Sequence, residues 1–162
     1  ALAIRAYVAS PQRITTVHNG MPDITVTPRQ PAPICRLIMV ARFSAQKDHA
    51  LLLRALNTLR DLPWTLTLVG GGNSSTVRAL VEVLKLTDRV TILGQREDVP
   101  ELLQQADVFV LTTNWEGFPR SIVEAMRASL PMVVTNVAGV PEIVADEHNG
   151  LLVPRGDSQA CA

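Results

Sequence analysis

Apolar positions along the chain follow two alternating rhythms. Short β-branched or leucine-rich runs occur at Cys35–Ala41, Thr65–Val69, Val90–Leu93, Val108–Leu111, Met132–Thr135 and Leu151–Val153. Each is bounded by Gly, Pro, Asn, Asp or a charged residue, and this length and flanking predict strands. Between them apolar residues recur at helical spacing: Leu51, Leu52, Ala55, Leu56 and Leu59; Val77, Leu80, Val81 and Leu84; Leu102, Leu103 and Ala106; Ile122, Val123, Ala125, Met126 and Leu130. Continuous apolar strands alternating with amphipathic helices imply a parallel sheet covered on both faces, a doubly wound α/β domain. The predicted domain occupies 34–162. Residues 1–33 read as an opening helix over Ala1–Tyr7, a strand or strap at Arg13–Val17, and a proline-rich linker, Thr27–Pro33.

Composition narrows the possible roles. The 162 residues carry 15 Lys or Arg and 15 Asp or Glu, a net charge of zero. There is no basic field to hold nucleic acid and no polybasic segment for anionic lipid. With 47% hydrophobic residues the chain can bury a sizeable core. Cys35 and Cys161 lie far apart and outside any metal-ligand spacing, so both read as free thiols, suited to a reducing cytoplasm. Arg36, Arg42, Pro63 and Asp107 interrupt every apolar stretch well short of a bilayer span. The start shows neither a signal peptide nor an initiator methionine, which predicts a fragment.

In a doubly wound sheet the ligand lies beyond the carboxyl ends of the strands, so the residues after each strand are the candidates. Arg42 and Lys47 follow the first strand. They read either as solvated surface charges or as a grip on one anion, a guanidinium taking two phosphate oxygens and an ammonium supplying a point charge. His49, just beyond, reads as a surface or capping residue. The second strand runs into Gly70-Gly71-Gly72, a tight turn or a ligand wall, without the pattern of a P-loop. Gly94-Gln95-Arg96 follows the third. The fourth exit is the richest: Thr112-Thr113-Asn114-Trp115-Glu116-Gly117-Phe118-Pro119-Arg120-Ser121-Ile122-Val123-Glu124. Pro119 suits a first helical turn, whose free amides near Ile122 and Val123 face the strand exits. Glu116 and Glu124 can border one cleft, or be a loop carboxylate and a helix carboxylate paired with Arg120 or Arg127.

Arg42-x4-Lys47, Gly70–Gly72, Gly94, Ala106-Asp107, the pair Glu116…Glu124, Pro131, Gly139 with Pro141-Glu142, and Asn149-Gly150-Leu151-Leu152-Val153 together resemble the family 4 retaining glycosyltransferases of the GT-B fold. The resemblance runs from about Arg13 to Asp157. It implies the Rossmann-like C-terminal half of such an enzyme, with Val17–Gly20 on the hinge side and the N-terminal acceptor domain absent. It further implies that Arg42 and Lys47 contact a donor diphosphate, that Glu124 accepts hydrogen bonds from ribose hydroxyls, and that Glu116 contacts the donor sugar. Backbone amides of Gly117 and Phe118 would meet sugar hydroxyls, those of Ile122 and Val123 the diphosphate, while Gly71 walls the site and Gln95 and Arg96 border the base. Glu116, Arg42 and Lys47 are the residues implied in catalysis.

The implied reaction moves a hexosyl group from a nucleoside diphosphate sugar to a hydroxyl, in polysaccharide, lipopolysaccharide or glycolipid synthesis. No cofactor and no metal is implied. The acceptor, a saccharide or lipid-linked saccharide, would be held by the missing domain, through which a cytoplasmic protein would reach the inner membrane face. The isolated chain is expected to bind donor without transferring sugar. Three positions depart from the family pattern: Ala41 and Ser129 stand where Gly is common, and Thr112 where Pro is common. The alternatives are a GT-B nucleotide-sugar 2-epimerase, and a non-enzymatic doubly wound signalling domain, which would want clustered aspartates at the strand exits.

Overall fold

The computed structural model describes residues 10–162 apart from Thr16, His18 and Thr27. The predicted helix Ala1–Tyr7 lies outside the described residues. Pro11–Arg13 forms a 3-10 turn, and the residues that follow, up to Pro33, contain no strand among those described, so of the two readings of Arg13–Val17, strand or strap, no strand is seen among its described residues.

Six strands form one parallel sheet: β1 (Cys35–Val40), β2 (Trp64–Val69), β3 (Val90–Gly94), β4 (Val108–Leu111), β5 (Met132–Thr135) and β6 (Leu151–Val153). The helices are α1 (His49–Thr58), α2 (Ser75–Val83), α3 (Val99–Gln105) and α4 (Arg120–Arg127). Strand order is β3-β2-β1-β4-β5-β6, the doubly wound arrangement. Successive crossovers run outward from β1 on one side and return to β4 on the other, so α1 and α2 pack together on one face and α3 and α4 on the opposite face. The switch in winding direction falls between β1 and β4, where a crevice opens at the carboxyl ends.

The apolar rhythms place the core. Ile38 and Met39, adjacent on β1, point to opposite faces and are both buried, which requires cover on each side. Leu66 and Leu68 of β2, Phe109 and Leu111 of β4, and Val134 of β5 are also buried, against Leu52, Leu53 and Leu56 of α1 and Ile122 and Ala125 of α4. Burying one such side chain contributes roughly 1.5–3 kcal/mol. Trp64 opens β2 with its indole N–H donating to the Leu59 carbonyl at 2.8 Å.

Strand starts are tied as carefully as strand exits. Asp107, one residue before β4, receives the Arg36 guanidinium in two bonds of 2.7 and 2.9 Å and the Arg36 amide at 2.8 Å. These bonds hold the Asp107 carboxyl below its usual range. The far end of α4 explains one departure from the family pattern. Ser129 has φ 53°, with its amide bonded to the Met126 carbonyl at 2.8 Å and the Leu130 amide to that of Ala125 at 3.0 Å. This is a Schellman turn, which favours glycine at the left-handed position. Arg29, from the linker, donates to the carbonyls of Ala128 and Ser129 at the end of the helix. Leu130, expected within the helix, is therefore already past its end.

Candidate functional site

A cleft of about 600 Å³ opens above the β1/β4 switch point. Arg42, Lys47, Gln95, Arg96, Glu116, Phe118 and Glu124 all line it, and with Gly70 residues from four strand exits meet in one space. Gly71, Gly117, Ile122 and Val123 are not in its wall. Ile122 is buried in the core, and its amide already donates to the Pro119 carbonyl at 3.2 Å. Pro119 itself stands at the N-cap, with ψ 114°, one residue before the helix it was expected to begin.

The glycine turn after β2 serves close backbone approach. A Cβ on Gly70 would lie 2.0 Å from the Ala41 carbonyl oxygen, and one on Gly72 2.6 Å from that of Phe43. Paired bonds, Ala41 N–H to the Val69 carbonyl and Phe43 N–H to the Gly71 carbonyl, each 2.8 Å, keep the two exits zipped beyond the sheet. Gly70 lines the cleft, while Gly71 lies against Gln95, 3.1 Å from the Gln95 side-chain oxygen to the position of an added Cβ.

The charged side chains fall into two groups. Lys47 and Glu116 form an ion pair, their side chains only 11% and 6% exposed. The Glu116 carboxylate also accepts from the Thr113 hydroxyl at 2.8 Å and the Gln46 amide at 3.4 Å, and Gln46 donates to the Trp115 carbonyl at 2.7 Å. Glu116 is thus a held carboxylate. Arg42 is exposed and Glu124 half-buried, and among the described residues neither makes an ion pair, so the alternative in which Glu124 pairs with Arg120 or Arg127 is not realised. Arg96 is occupied by Asp98, with bonds of 2.6 and 2.7 Å.

Several contributors carry no mark in the sequence. Gln46 and Thr113 are polar loop residues beside residues already singled out, and only their contacts distinguish them. Gly139 is among the residues that carry the resemblance, but its role is visible only in the structure: a Cβ there would lie 1.5 Å from the Gly117 carbonyl oxygen, so the turn before Val140–Glu142 is a floor for the Glu116–Phe118 loop. His49 departs from expectation. It is 3% exposed, stacked on Phe43 with ring centroids 4.6 Å apart, and burial lowers its pKa. Capping falls to Asp48, which accepts from the Leu51 amide at 3.0 Å. Thr112, where the family pattern has proline, donates its hydroxyl to the Asp48 carbonyl at 2.7 Å and so joins the β4 exit to the start of α1.

A parallel sheet wound 3-2-1-4-5-6, with a cation, a tethered carboxylate and a carboxylate that has no ionic partner among the described residues around a cleft at its switch point, defines an α/β protein built to receive a polar ligand. The profile of the glycosyl transferases group 1 matches residues 34–162, and the chain belongs to that family. Over 74 residues it is 40% identical to an Escherichia coli UDP-Gal:alpha-D-GlcNAc-diphosphoundecaprenol alpha-1,3-galactosyltransferase, covering 46% of this chain and 19% of that protein. HepE of Anabaena, crystallised with UDP and glucose, superimposes with a TM-score of 0.76 at 30% identity, over 80% of this chain and 37% of that one. The lipopolysaccharide outer core galactosyltransferase WaaB, in its apo form, gives 0.81 at 27% identity, over 96% and 46%. The chain therefore spans less than half the length of each of these proteins. Their likeness establishes a GT-B, Rossmann-like domain.

Proposed function

We propose that this chain is the donor-binding half of a retaining family 4 glycosyltransferase, and that its ligand is a nucleoside diphosphate sugar. The observation that carries this is the gathering of opposite charges around one cleft: among the described residues Arg42 is exposed and without an ionic partner, Glu124 is half-buried and without one, and Glu116 is fastened by Lys47, Thr113 and Gln46. An anion meets Arg42, a diol meets Glu124, and the transferred sugar lies beside Glu116. The likeness to HepE, whose structure holds UDP and glucose, supports the same ligand class.

Each residue has a distinct electrostatic task in this reading. Departure of the diphosphate builds charge at the bond being broken. Arg42 stabilises it directly, in a crevice where preformed charges act more strongly than in water. Lys47 lies within the same wall and shares its charge between Glu116 and the leaving group, so no metal is required. Glu116, held by three groups, orients the hexosyl ring; it is pre-aligned, and alignment of reacting groups is worth several kcal/mol of barrier. The loop at Phe118 faces the sugar, the N-terminus of α4 at Arg120 and Ser121 contributes its positive end, Gly70 rather than Gly71 walls the site, and Gln95 with Arg96 borders the base. The acceptor, a saccharide or lipid-linked saccharide, belongs to a domain outside this chain, which for that reason binds donor without transferring it.

Calorimetric titration of the chain with UDP, GDP and ADP, and with their sugar conjugates, tests the reading. One base is expected to saturate. Glu124→Gln should weaken the matching nucleoside diphosphate and its conjugate alike by about 10-fold to 100-fold, the loss of a charged hydrogen bond. A folded chain that binds none of these ligands, or a Glu124→Gln variant that binds normally, refutes it.

A further inference from the structure

Two buried hydroxyls lie behind the donor cleft. Thr113, two residues past the end of β4, and Thr135, the last residue of β5, are each 1% exposed, and neither lines the cleft. A hydroxyl in a core is costly unless its bonds are met. The Thr113 amide donates to Thr135 Oγ1 at 3.1 Å, and the Thr135 hydroxyl lies 3.4 Å from the Leu111 carbonyl, so one side chain of β5 carries the tie to β4 beyond the last residue of that strand. On the other flank the Asp48 amide donates to the Thr112 carbonyl at 3.0 Å and the Asn114 amide to the Gln46 carbonyl at 2.8 Å. The Thr113 backbone is fixed between β5 and the loop before α1.

The Thr113 hydroxyl has one hydrogen to give. Around it lie Glu116 Oε1 at 2.8 Å, the Gln46 carbonyl at 3.1 Å and the Trp115 carbonyl at 3.4 Å. Both carbonyls already accept, one from the Asn114 amide and the other from the Gln46 side chain at 2.7 Å. The carboxylate is nearest and charged, and a charged acceptor makes the stronger bond, so the hydrogen goes to Glu116. Lys47 meets the same oxygen. Oε1 is thus held from two sides, whereas Oε2 has the Gln46 amide alone, at 3.4 Å. The two oxygens of one carboxylate, on a side chain only 6% exposed, are in different circumstances.

We propose that Thr135 and Thr113 are positioning residues for the transferred sugar: a relay of two hydroxyls, starting on β5, that holds Glu116 Oε1 inward and leaves Oε2 to accept from a sugar hydroxyl. Placing a sugar there rests on the donor reading above; the relay itself does not. Thr135 touches neither Glu116 nor the cleft and acts through Thr113.

The test is amide hydrogen exchange and calorimetry on Thr135→Val, which keeps the shape and removes the hydroxyl, with Thr135→Ser as the rescue. In the ligand-free chain the Thr113 amide should lose protection in Thr135→Val and keep it in Thr135→Ser, measured against the Phe109 amide, which bonds to the Pro131 carbonyl and serves as the internal standard. With UDP, GDP or ADP, whichever binds, and its sugar conjugate, the ratio of the two affinities should fall by about 3–10-fold in Thr135→Val and in Thr113→Val, and return in Thr135→Ser. The nucleotide alone should bind as in wild type. A merely structural Thr135 would lower the melting temperature and leave that ratio unchanged. Should Thr135→Val not fold, Thr135→Ala removes the same hydroxyl and is read the same way. An unchanged ratio, equal losses for both ligands, no rescue by serine, or a Thr113 amide still protected in Thr135→Val overturns the relay and leaves the donor reading standing. A folded wild-type chain that binds neither ligand overturns the donor reading and the sugar role with it.

Discussion

Gly139→Ala is the substitution by which the donor loop can be displaced from a distance. Gly139 has φ −75° and ψ −3°, values an alanine adopts freely, so the change carries no backbone strain of its own. Its cost is steric. The new Cβ would lie 1.5 Å from the Gly117 oxygen, whereas real Cβ contacts stop at about 3.0 Å, so the two must part by at least 3.0 − 1.5 = 1.5 Å. On one side Val140 is fully buried and resists; on the other Gly117 is exposed, so the loop gives way. Glu116 and Phe118 flank Gly117 and move with it. Overpacking of this kind costs about 1–3 kcal/mol, and misplacing a reacting group by about 1 Å costs on the order of 100-fold in rate. Thermal melts should show the destabilisation, with Gly20→Ala, whose Cβ meets nothing within 4 Å, as the neutral comparison. In calorimetry the variant should retain the nucleoside diphosphate and lose the added affinity of the sugar conjugate. A Gly139→Ala chain with wild-type melting and an intact sugar increment refutes the floor role.

Arg42→Ala should weaken the diphosphate by about 1.5–3 kcal/mol while sparing the bare nucleoside and the melting temperature. Lys47→Ala should also lower stability, by roughly 3 kcal/mol, because it strands the buried Glu116 carboxylate; equal melts for the two variants would contradict the pairing. Ser129→Gly relieves a left-handed residue and should stabilise the fold by about 0.5–1 kcal/mol, read from denaturant midpoints, with a destabilisation counting against the Schellman assignment. The folded-state pKa of Asp107 is depressed, so its stabilisation is fully present above the ordinary aspartate range and is lost as pH falls through the lowered value. Asp107→Asn should therefore flatten the acid limb of the stability profile, by about 1 kcal/mol given the partial exposure of Arg36; a limb unchanged in the variant would place the acid sensitivity elsewhere.

The alternation of strand and helix was legible because both signals are local. A run such as Val108–Leu111 or a stripe such as Leu52-Leu56 is set by residues within one or two turns of each other, and neighbouring runs of one kind exclude most other folds. Arg42, Lys47, Glu116 and Glu124 were legible as a group for a related reason. The doubly wound topology gathers strand exits at one edge, and that topology follows from the alternation itself.

What only the tertiary structure decided is how those groups are spent on one another. Lys47 and Glu116 are 69 residues apart, and nothing local tells that one neutralises the other rather than a ligand. The approach of Gly139 to Gly117 and the burial of His49 beneath Phe43 likewise depend on which loops face across the sheet edge. So does Arg29, reaching from the linker to close the end of α4. Periodicity reports the environment of a side chain averaged over an element, whereas a loop has no period, and the partner of a loop residue is chosen by packing between segments distant along the chain. The sequence by itself therefore determined the scaffold and the edge at which chemistry gathers. The division of that edge into an ion-paired Glu116 and an available Arg42 was decided in three dimensions.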